Sequence, residues 1–226
     1  MDPRELPPLL RLAPAPTDSE TSGSAVLYAA EADWWRVSKA HTRAFGGQLA
    51  GHCVIAAASV APAGFEWHAL HLYFLRAGQM TRTRYEVTEL RVGRSFALYE
   101  VTGYEANEAK PVVRAAVSFH NSAAEQGPPL YASPAPVMPP PESSPTRVPN
   151  VGMNVPSPDD HPNVRQADSE GRAWWIRLSQ QNEALTGPAL WGAVAFMSDL
   201  QVRRHRRSQP PKWRRSLRSP ACCCDV

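Results

Sequence analysis

Residues 45–60 read FGGQLAGHCVIAAASV, a stretch that contains no Lys, Arg, Asp or Glu. Eight of the fourteen residues from 46 to 59 are Gly, Ala or Ser. A helix without charged residues has to be buried on every side, and small side chains allow a neighbouring element to approach its backbone closely. The stretch therefore predicts a central helix over residues 46–60 that is enclosed by the rest of the fold.

Strand-like segments follow this stretch without another helix among them. They are rich in aromatic, aliphatic and β-branched residues, and glycine marks the turns that end them at Gly78 and Gly93. One short strand, a buried helix and then consecutive antiparallel strands form an α+β pattern. The predicted strands cover residues 25–30, 66–76, 83–91, 95–104 and 112–120, and residues 33–43 are predicted to be a connecting loop.

Proline divides the chain, because 12 of its 23 prolines fall between residues 128 and 162. Such a cluster predicts a semi-rigid linker and excludes one continuous compact domain. The N-terminal residues are also rich in Pro, Ser and Thr, which predicts a loosely ordered leader. The predicted divisions are a leader at 1–24, a domain at 25–122, a linker at 123–165, a second, smaller region at 166–200 and a basic disordered tail at 201–226.

The region after the predicted linker contains one strand and one helix. The strand is RAWWIRL at 172–178, and Gly187-Pro188 is a helix-start signal. In the helix predicted over 189–200, Leu190, Val194 and Met197 share one face by their spacing, which predicts the buried face of that helix.

The positive charge of the chain belongs to its last 26 residues. Residues 201–226 contain eight Lys or Arg and one acid, whereas residues 1–200 contain 16 bases and 20 acids. A nucleic-acid partner inferred from the overall isoelectric point would therefore concern the tail alone, and none is expected for the body.

Four short motifs, in order over about 75 residues, indicate a family. They are FGGQ at 45–48, HALHLYFLRAG at 68–78, RVGRSF at 91–96 and SFH at 118–120. Together they resemble the first half of the type II acyl-CoA thioesterases, the TesB-like double-hotdog family. The departures are Ala77, where the family has proline, and Val92, where it has aspartate.

The resemblance implies a hotdog fold, in which an antiparallel sheet wraps around a central helix. The first repeat is complete at 25–122, and the second is partial at 166–200, where AFMSDL resembles the end of the second hotdog helix. The implied activity is hydrolysis of fatty acyl-CoA to free acid and CoA. It needs no cofactor and has acyl-CoA as its partner, with a possible homo-oligomer formed through the hotdog sheets.

The resemblance also implies site residues. In the family an aspartate at the SDL position works with a Ser/Thr and a Gln to activate water, and Asp199 matches that aspartate. No segment of this sequence matches the Ser/Thr or the Gln. Gly47 and Gln48, which open the first helix, are candidates for substrate binding.

Structural interpretations stand beside these functional ones. For Gly47 and Gln48 we favour helix entry geometry and close packing over substrate binding. Asp199 could be an ordinary polar residue near a helix end, although an acid near a helix C-terminus is unfavourable by about 0.3–1 kcal/mol. His68 and His71, three apart on a strand, are expected to point to opposite faces, which argues against a shared metal site.

Metal, membrane and secretion signals are not found in the sequence. Cysteine occurs as Cys53 and the run Cys222–Cys224, without the spacing of a disulfide framework or a metal site, which fits a reducing compartment. The uncharged stretch around residue 50 is too rich in Gly and Gln to predict a membrane span. The expected location is intracellular, peroxisomal or cytoplasmic, and the final Cys-Asp-Val is not a peroxisomal signal.

Two alternatives to an active hydrolase remain. Residues after Leu200 lack any strand pattern, so the second repeat is expected to be incomplete. The chain would then be a catalytically silent remnant that binds acyl-CoA or oligomerises through exposed sheet edges. The other alternative is a targeting or nucleic-acid module formed by the basic tail. An accidental, solvated extension is the interpretation that we favour for the tail.

Overall fold

The structure is a computed structural model of the 226-residue chain. It describes residues 6–15, 24–35, 42–105, 108–124, 163–166, 174–177 and 185–208, and it describes side chains in all of these except 163–166, 174–177 and 200–208.

Six strands form one sheet, and a helix lies between the second and third of them. The strands are β1 (Ala13–Pro14), β2 (Ser24–Ala29), β3 (Glu66–Phe74), β4 (Thr83–Val92), β5 (Phe96–Glu105) and β6 (Pro111–His120), and the helix is α1 (Gly46–Ala58).

The sheet is antiparallel throughout, with the strand order β1-β2-β4-β5-β6-β3. Consecutive strands β4, β5 and β6 are neighbours, whereas β3 crosses over to the far side of β6. This places β3 at one edge of the sheet, and helix α1 contacts strands β2 to β6 on the inner face.

The alternation of side chains along the strands explains which face holds the core. On β5 every second residue from Ala97 to Gly103 is buried, and on β6 the same is true from Val113 to Phe119. Side chains of a strand point alternately to the two faces of the sheet. The buried sets therefore line the inner face, where they pack around α1.

Helix α1 is buried over its whole length, as its uncharged sequence predicts. All residues from Gly47 to Ala57 are buried, including the polar Gln48 and His52. The helix starts at the predicted residue and ends at Ala58, two residues before the predicted end.

A second helix, α2 (Gly187–Ser208), packs against α1 and explains the glycines of both. A methyl group at Gly47 would lie 2.3 Å from the Phe196 carbonyl oxygen, and one at Gly51 would lie 2.8 Å from the Gly192 oxygen. Residue numbers fall along α2 as they rise along α1, so the two helices run antiparallel. Only glycine allows the two backbones to approach this closely.

The buried face of α2 differs from the predicted one. Leu190 and Val194 are exposed, whereas Ala193, Ala195 and Phe196 are buried. The prediction was wrong because the spacing of three apolar residues does not determine which face of the helix contacts α1. Contact with the glycine-rich surface of α1 instead selects the face of α2 that carries Gly192 and Phe196.

Helix α2 also extends beyond the predicted division at residue 200. It continues through Ser208, so that division falls inside a helix. Residues 201–208 are therefore not part of a disordered tail, and residues 209–226 lie outside the described part of the chain. Asp199 consequently sits in the interior of the helix, and the argument from an unfavourable helix C-terminus does not apply to it.

The predicted leader at 1–24 is wrong for residues 6–15. Leu6, Leu10 and Leu12 are buried in the core, and β1 pairs with β2. The prolines between these leucines break regular structure, but they leave the leucine side chains free to pack. The segment therefore packs across both helices, although most of it is outside α-helices and β-strands.

Two short strands lie outside the main sheet. Strand β7 (Asn163–Gln166) pairs antiparallel with β8 (Trp174–Arg177). The second of these lies within the predicted strand at 172–178, whereas the first begins inside the predicted linker. The predicted end of the linker at 165 is therefore too late, and residues 125–162 lie outside the described residues.

We expect Gly47→Ala to destabilise the protein, although alanine normally favours a helix over glycine by about 1 kcal/mol. The new methyl group would meet the backbone carbonyl of Phe196, which cannot turn aside as a flexible side chain can. Overpacking of this kind costs about 1–3 kcal/mol. Urea unfolding of the purified variant measures the free energy change.

Gly78→Ala is the matched control, because its methyl group would find its nearest neighbour at 3.4 Å, an ordinary contact. We expect this variant to be as stable as the parent, or more stable by up to about 1 kcal/mol. Equal or greater stability of Gly47→Ala would show that α1 and α2 do not pack at this distance.

Candidate active site

The start of helix α1 lacks a side-chain cap. Phe45 occupies the N-cap position, and no side-chain hydrogen bond caps the helix. The amides of Gln48 and Leu49 both donate to the Phe45 carbonyl. The first turn of any helix carries partial positive charge from its amides, so this end of α1 favours a carboxylate or a developing oxyanion.

Asp199 brings a carboxylate to this position. A methyl group on Gly46, the first residue of α1, would lie 2.7 Å from Asp199 Oδ2. The side chain of Asp199 is half-buried. It lies on the face of α2 that packs on α1, seven residues after Gly192 and three after Phe196. Packing of the two helices therefore places the carboxylate directly against the start of α1.

The same point beside Gly46 is also close to an aromatic ring. Phe74 Cζ lies 2.9 Å from where a methyl group on Gly46 would be. A side chain at position 46 would therefore displace either the carboxylate or the ring. Glycine at this position keeps both next to the helix start.

Gln48 is engaged with the backbone and does not face an open site. Its Nε2 donates to the carbonyl oxygens of Leu9 at 2.6 Å and Asp33 at 2.9 Å. Its Oε1 accepts from the Trp35 amide at 2.8 Å. Both N–H donors of the side chain are thus used inside the protein. These contacts support the structural interpretation of Gln48, and the packing of Gly47 against Phe196 supports the same interpretation for Gly47.

His52 forms a second buried polar group that sequence reasoning did not assign. Its Nε2 lies 2.9 Å from the Leu9 carbonyl oxygen, and its Nδ1 lies 2.9 Å from the Tyr85 hydroxyl. Because a carbonyl can only accept, Nε2 carries the proton and Nδ1 accepts from Tyr85. A histidine inside an uncharged, buried helix has to find such partners, and this was the signal available in the sequence.

Burial shifts the pKa values of three side chains in and beside this part of α1. Desolvation lowers the pKa of His52 to about 4, although its hydrogen bond to Leu9 acts in the opposite direction. Desolvation also raises the pKa of the Cys53 thiol to about 12 and the pKa of Tyr85 well above its usual value. His52 is therefore neutral at pH 7, and Cys53 is a thiol without nucleophilic character.

The two histidines of β3 lie on the same face, contrary to the prediction. A β-bulge between Trp67 and Ala69 interrupts the alternation of the strand. His68 Nδ1 lies 3.0 Å from the hydroxyl of Ser118, which is on the outer face of β6 because both of its neighbours are buried. His71 is exposed and pairs with Ala116, which lies two residues before Ser118 and is on the same outer face. The prediction failed because the bulge adds one residue to the spacing.

Two further properties can be stated for the described residues. No group of three or more His, Cys, Asp and Glu side chains among them is arranged to hold a metal ion. In the same part of the chain, no helix has both the length and the apolar character needed to cross a membrane.

Solved structures with this architecture define the class of fold. The acyl-CoA thioesterase II TesB2 of Mycobacterium marinum aligns with a TM-score of 0.58 over 85% of this chain and 67% of its own, at 22% identity. A tesB protein of Mycobacterium avium subsp. paratuberculosis aligns with a TM-score of 0.53 over 87% of this chain and 69% of its own, also at 22% identity. The predicted α+β hotdog fold is thereby confirmed.

Sequence comparison finds a family model that matches part of the chain. Residues 32–120 match the model of the acyl-CoA thioesterase N-terminal domain. This part of the chain is therefore similar to the N-terminal domain of acyl-CoA thioesterases, which confirms the resemblance that its four motifs predicted.

Two relatives quantify the match. The human acyl-coenzyme A thioesterase 8 is 35% identical over 101 residues, and the mouse protein of the same name is 34% identical over 101 residues. Each alignment covers 44% of this chain and 30% of the relative. The chain thus matches about a third of the length of these relatives.

The buried His52 predicts a pH dependence of stability. The folded-state pKa of His52 is about 4, below the value of 6.5 expected in the unfolded chain. As the pH falls from about 7 to 5, the unfolded state therefore binds more protons than the folded state. The stability that His52 contributes is complete above pH 6.5 and is lost on acidification towards pH 4. We expect this group to lower the free energy of unfolding by about 2 kcal/mol between pH 7 and pH 5.

Urea unfolding at these two pH values tests the assignment with two variants. His52→Gln should be less stable at pH 7 but should lose much less stability on acidification than the parent. His68→Gln, which removes an exposed histidine, should keep the pH dependence of the parent. An equal loss for the parent and His52→Gln would contradict the assignment.

Proposed function

We propose that this protein is a thioester hydrolase that converts fatty acyl-CoA, or a related acyl thioester, to free acid and CoA. The observation that carries the proposal is the position of the Asp199 carboxylate at the uncapped start of α1. The match of residues 32–120 to the acyl-CoA thioesterase N-terminal domain supports the substrate class. Names of the human and mouse relatives agree with the same chemistry.

Asp199 would act on the attacking water. A carboxylate within hydrogen-bond distance of a water molecule can accept its proton as the oxygen attacks a carbonyl carbon. The positive end of α1 stabilises the charged carboxylate next to it. Holding water and thioester together at this point also supplies the orientation that the bimolecular reaction lacks in solution.

The start of α1 would stabilise the oxyanion. Attack on the thioester carbonyl places negative charge on its oxygen, and amides at a helix start are suitable donors for such a charge. Cleavage of the carbon–sulfur bond then releases CoA, whose thiolate takes up the proton that Asp199 removed from water. Carboxylate and helix start thus have separate roles at one carbonyl group.

The family resemblance also implies polar groups that act together with Asp199. The resemblance implies a Ser/Thr and a Gln, and neither has a match in this sequence. Ser198, next to Asp199, donates to the carbonyl oxygen of Ala195 in its own helix at 2.8 Å. Gln48 is engaged with Leu9, Asp33 and Trp35. Neither residue takes the missing role in this arrangement.

We also propose that copies of the chain associate through the hotdog sheet and that the protein acts inside the cell, in the peroxisome or the cytoplasm. The edge position of β3 and the exposed apolar side chains of Leu90, Val92 and Phe96 support the association. The sparse cysteines and the buried thiol of Cys53 support a reducing compartment.

Thiol release from acetyl-, octanoyl- and palmitoyl-CoA tests the activity, with Asp199→Asn as the decisive variant. We expect kcat to fall at least about 100-fold, because general-base assistance of this kind contributes about 10²–10⁴. Asparagine keeps the size of the side chain but cannot accept a proton at neutral pH.

Glu66→Gln is the control, since it removes an exposed carboxylate from the start of β3, and it should retain full activity. Unchanged turnover of Asp199→Asn would exclude Asp199 from the reaction. Absence of thiol release by the parent protein with all three substrates would contradict hydrolysis and would favour the silent acyl-CoA-binding alternative.

A further inference from the structure

Phe74 is more exposed than its position in the sheet predicts, yet its ring lies at the candidate site. It is the last residue of β3, and its register partner Val113 lies in the buried row of β6. A residue in this position is expected to be buried, yet 53% of Phe74 is exposed. Its ring nevertheless lies beside Gly46, at the point that the Asp199 carboxylate also approaches.

An apolar row begins at this ring and leads away from Asp199. Leu72, Leu70 and Trp67 lie on the same inner face of β3, because their register partners on β6 are all buried. These three side chains are partly buried and pack towards the small residues of both helices. The row thus runs from an exposed ring at the carboxylate to a more enclosed apolar surface formed by β3, α1 and α2.

The chemistry of an acyl thioester fits this arrangement. Its carbonyl has to lie within reach of both the carboxylate and the start of α1, and its CoA portion is polar and highly charged. Its acyl chain is apolar and gains free energy wherever it covers apolar surface. Next to the proposed position of the carbonyl, the ring of Phe74 offers such a surface to the first carbons of the chain.

We infer that Phe74 is a specificity-determining residue that packs against the first carbons of the acyl chain and that the row Leu72-Leu70-Trp67 continues this surface. The inference rests on the proposed function, because it takes the carbonyl to be bound beside Asp199. The alternative is that the ring only covers the start of α1 and holds Asp199 in place.

Comparison of Phe74→Ala and Tyr73→Ala separates these roles. Tyr73 is the adjacent residue, is 72% exposed and pairs with Arg114 on the outer face, so it is the matched control. Each buried methylene contributes roughly a fourfold change in affinity. We therefore expect Phe74→Ala to lower kcat/KM for octanoyl-CoA about tenfold and that for acetyl-CoA less than twofold, with Tyr73→Ala unchanged for both.

Phe74→Leu should retain most of the preference for octanoyl-CoA, because leucine still offers an apolar surface. It also serves if the alanine variant folds poorly, which urea unfolding would show. An equal loss for both substrates would mean that Phe74 acts through the position of Asp199, and no loss for either would mean that the chain does not touch the ring. Either result would overturn the inference and leave the proposed hydrolysis intact.

Binding of a non-hydrolysable thioether analogue of octanoyl-CoA, measured by calorimetry, makes the inference independent of turnover. If the parent binds this analogue without hydrolysing octanoyl-CoA, the proposed function fails. A roughly tenfold weaker affinity in Phe74→Ala, but not in Tyr73→Ala, would then still support the role of Phe74. A parent that neither hydrolyses octanoyl-CoA nor binds the analogue would overturn both proposals.

Discussion

The close contact between α1 and α2 is the constraint on which the rest of the structure depends. Glycines at 47, 51 and 192 allow atoms of one helix to lie where a side chain of the other would otherwise be. This contact fixes the position of α2 along α1. Because the two helices run antiparallel, the residues that follow Phe196 lie beside the start of α1, and Asp199 is one of them. The candidate site is therefore a product of packing between small residues, and the sheet encloses α1 from its other sides.

The central helix and five strands could be predicted from the sequence because each follows from a local pattern. An uncharged run requires burial, and alternating runs between turn residues indicate strands. Proline misled the prediction at the N-terminus, where Leu6, Leu10 and Leu12 are buried. At the other end, composition changes after Leu200 while the helix continues to Ser208, two residues before Pro210. Helix propensity, which arginine and glutamine satisfy, determined that end more than an apolar period did.

The candidate site could be predicted only in part. Asp199 came from family resemblance, since no spacing in the sequence links it to residue 46, and their proximity depends on contact between two distant helices. Gln48 stood out as a polar residue in an apolar helix, but its backbone partners at residues 9, 33 and 35 arise only on folding. The bulge in β3 could not be foreseen either, because pairing with β6 and not the composition of the strand creates it.

The carbonyl of Leu9 accepts hydrogen bonds from both Gln48 and His52. This has a practical consequence for work on the protein. The proline-rich beginning looks dispensable, and an expression clone could be started at β2 for that reason. Such a clone would lack the acceptor that two buried side chains share, and apolar surface on both helices would be uncovered. Such a product would tend to aggregate, and its failure could be mistaken for instability of the hotdog itself.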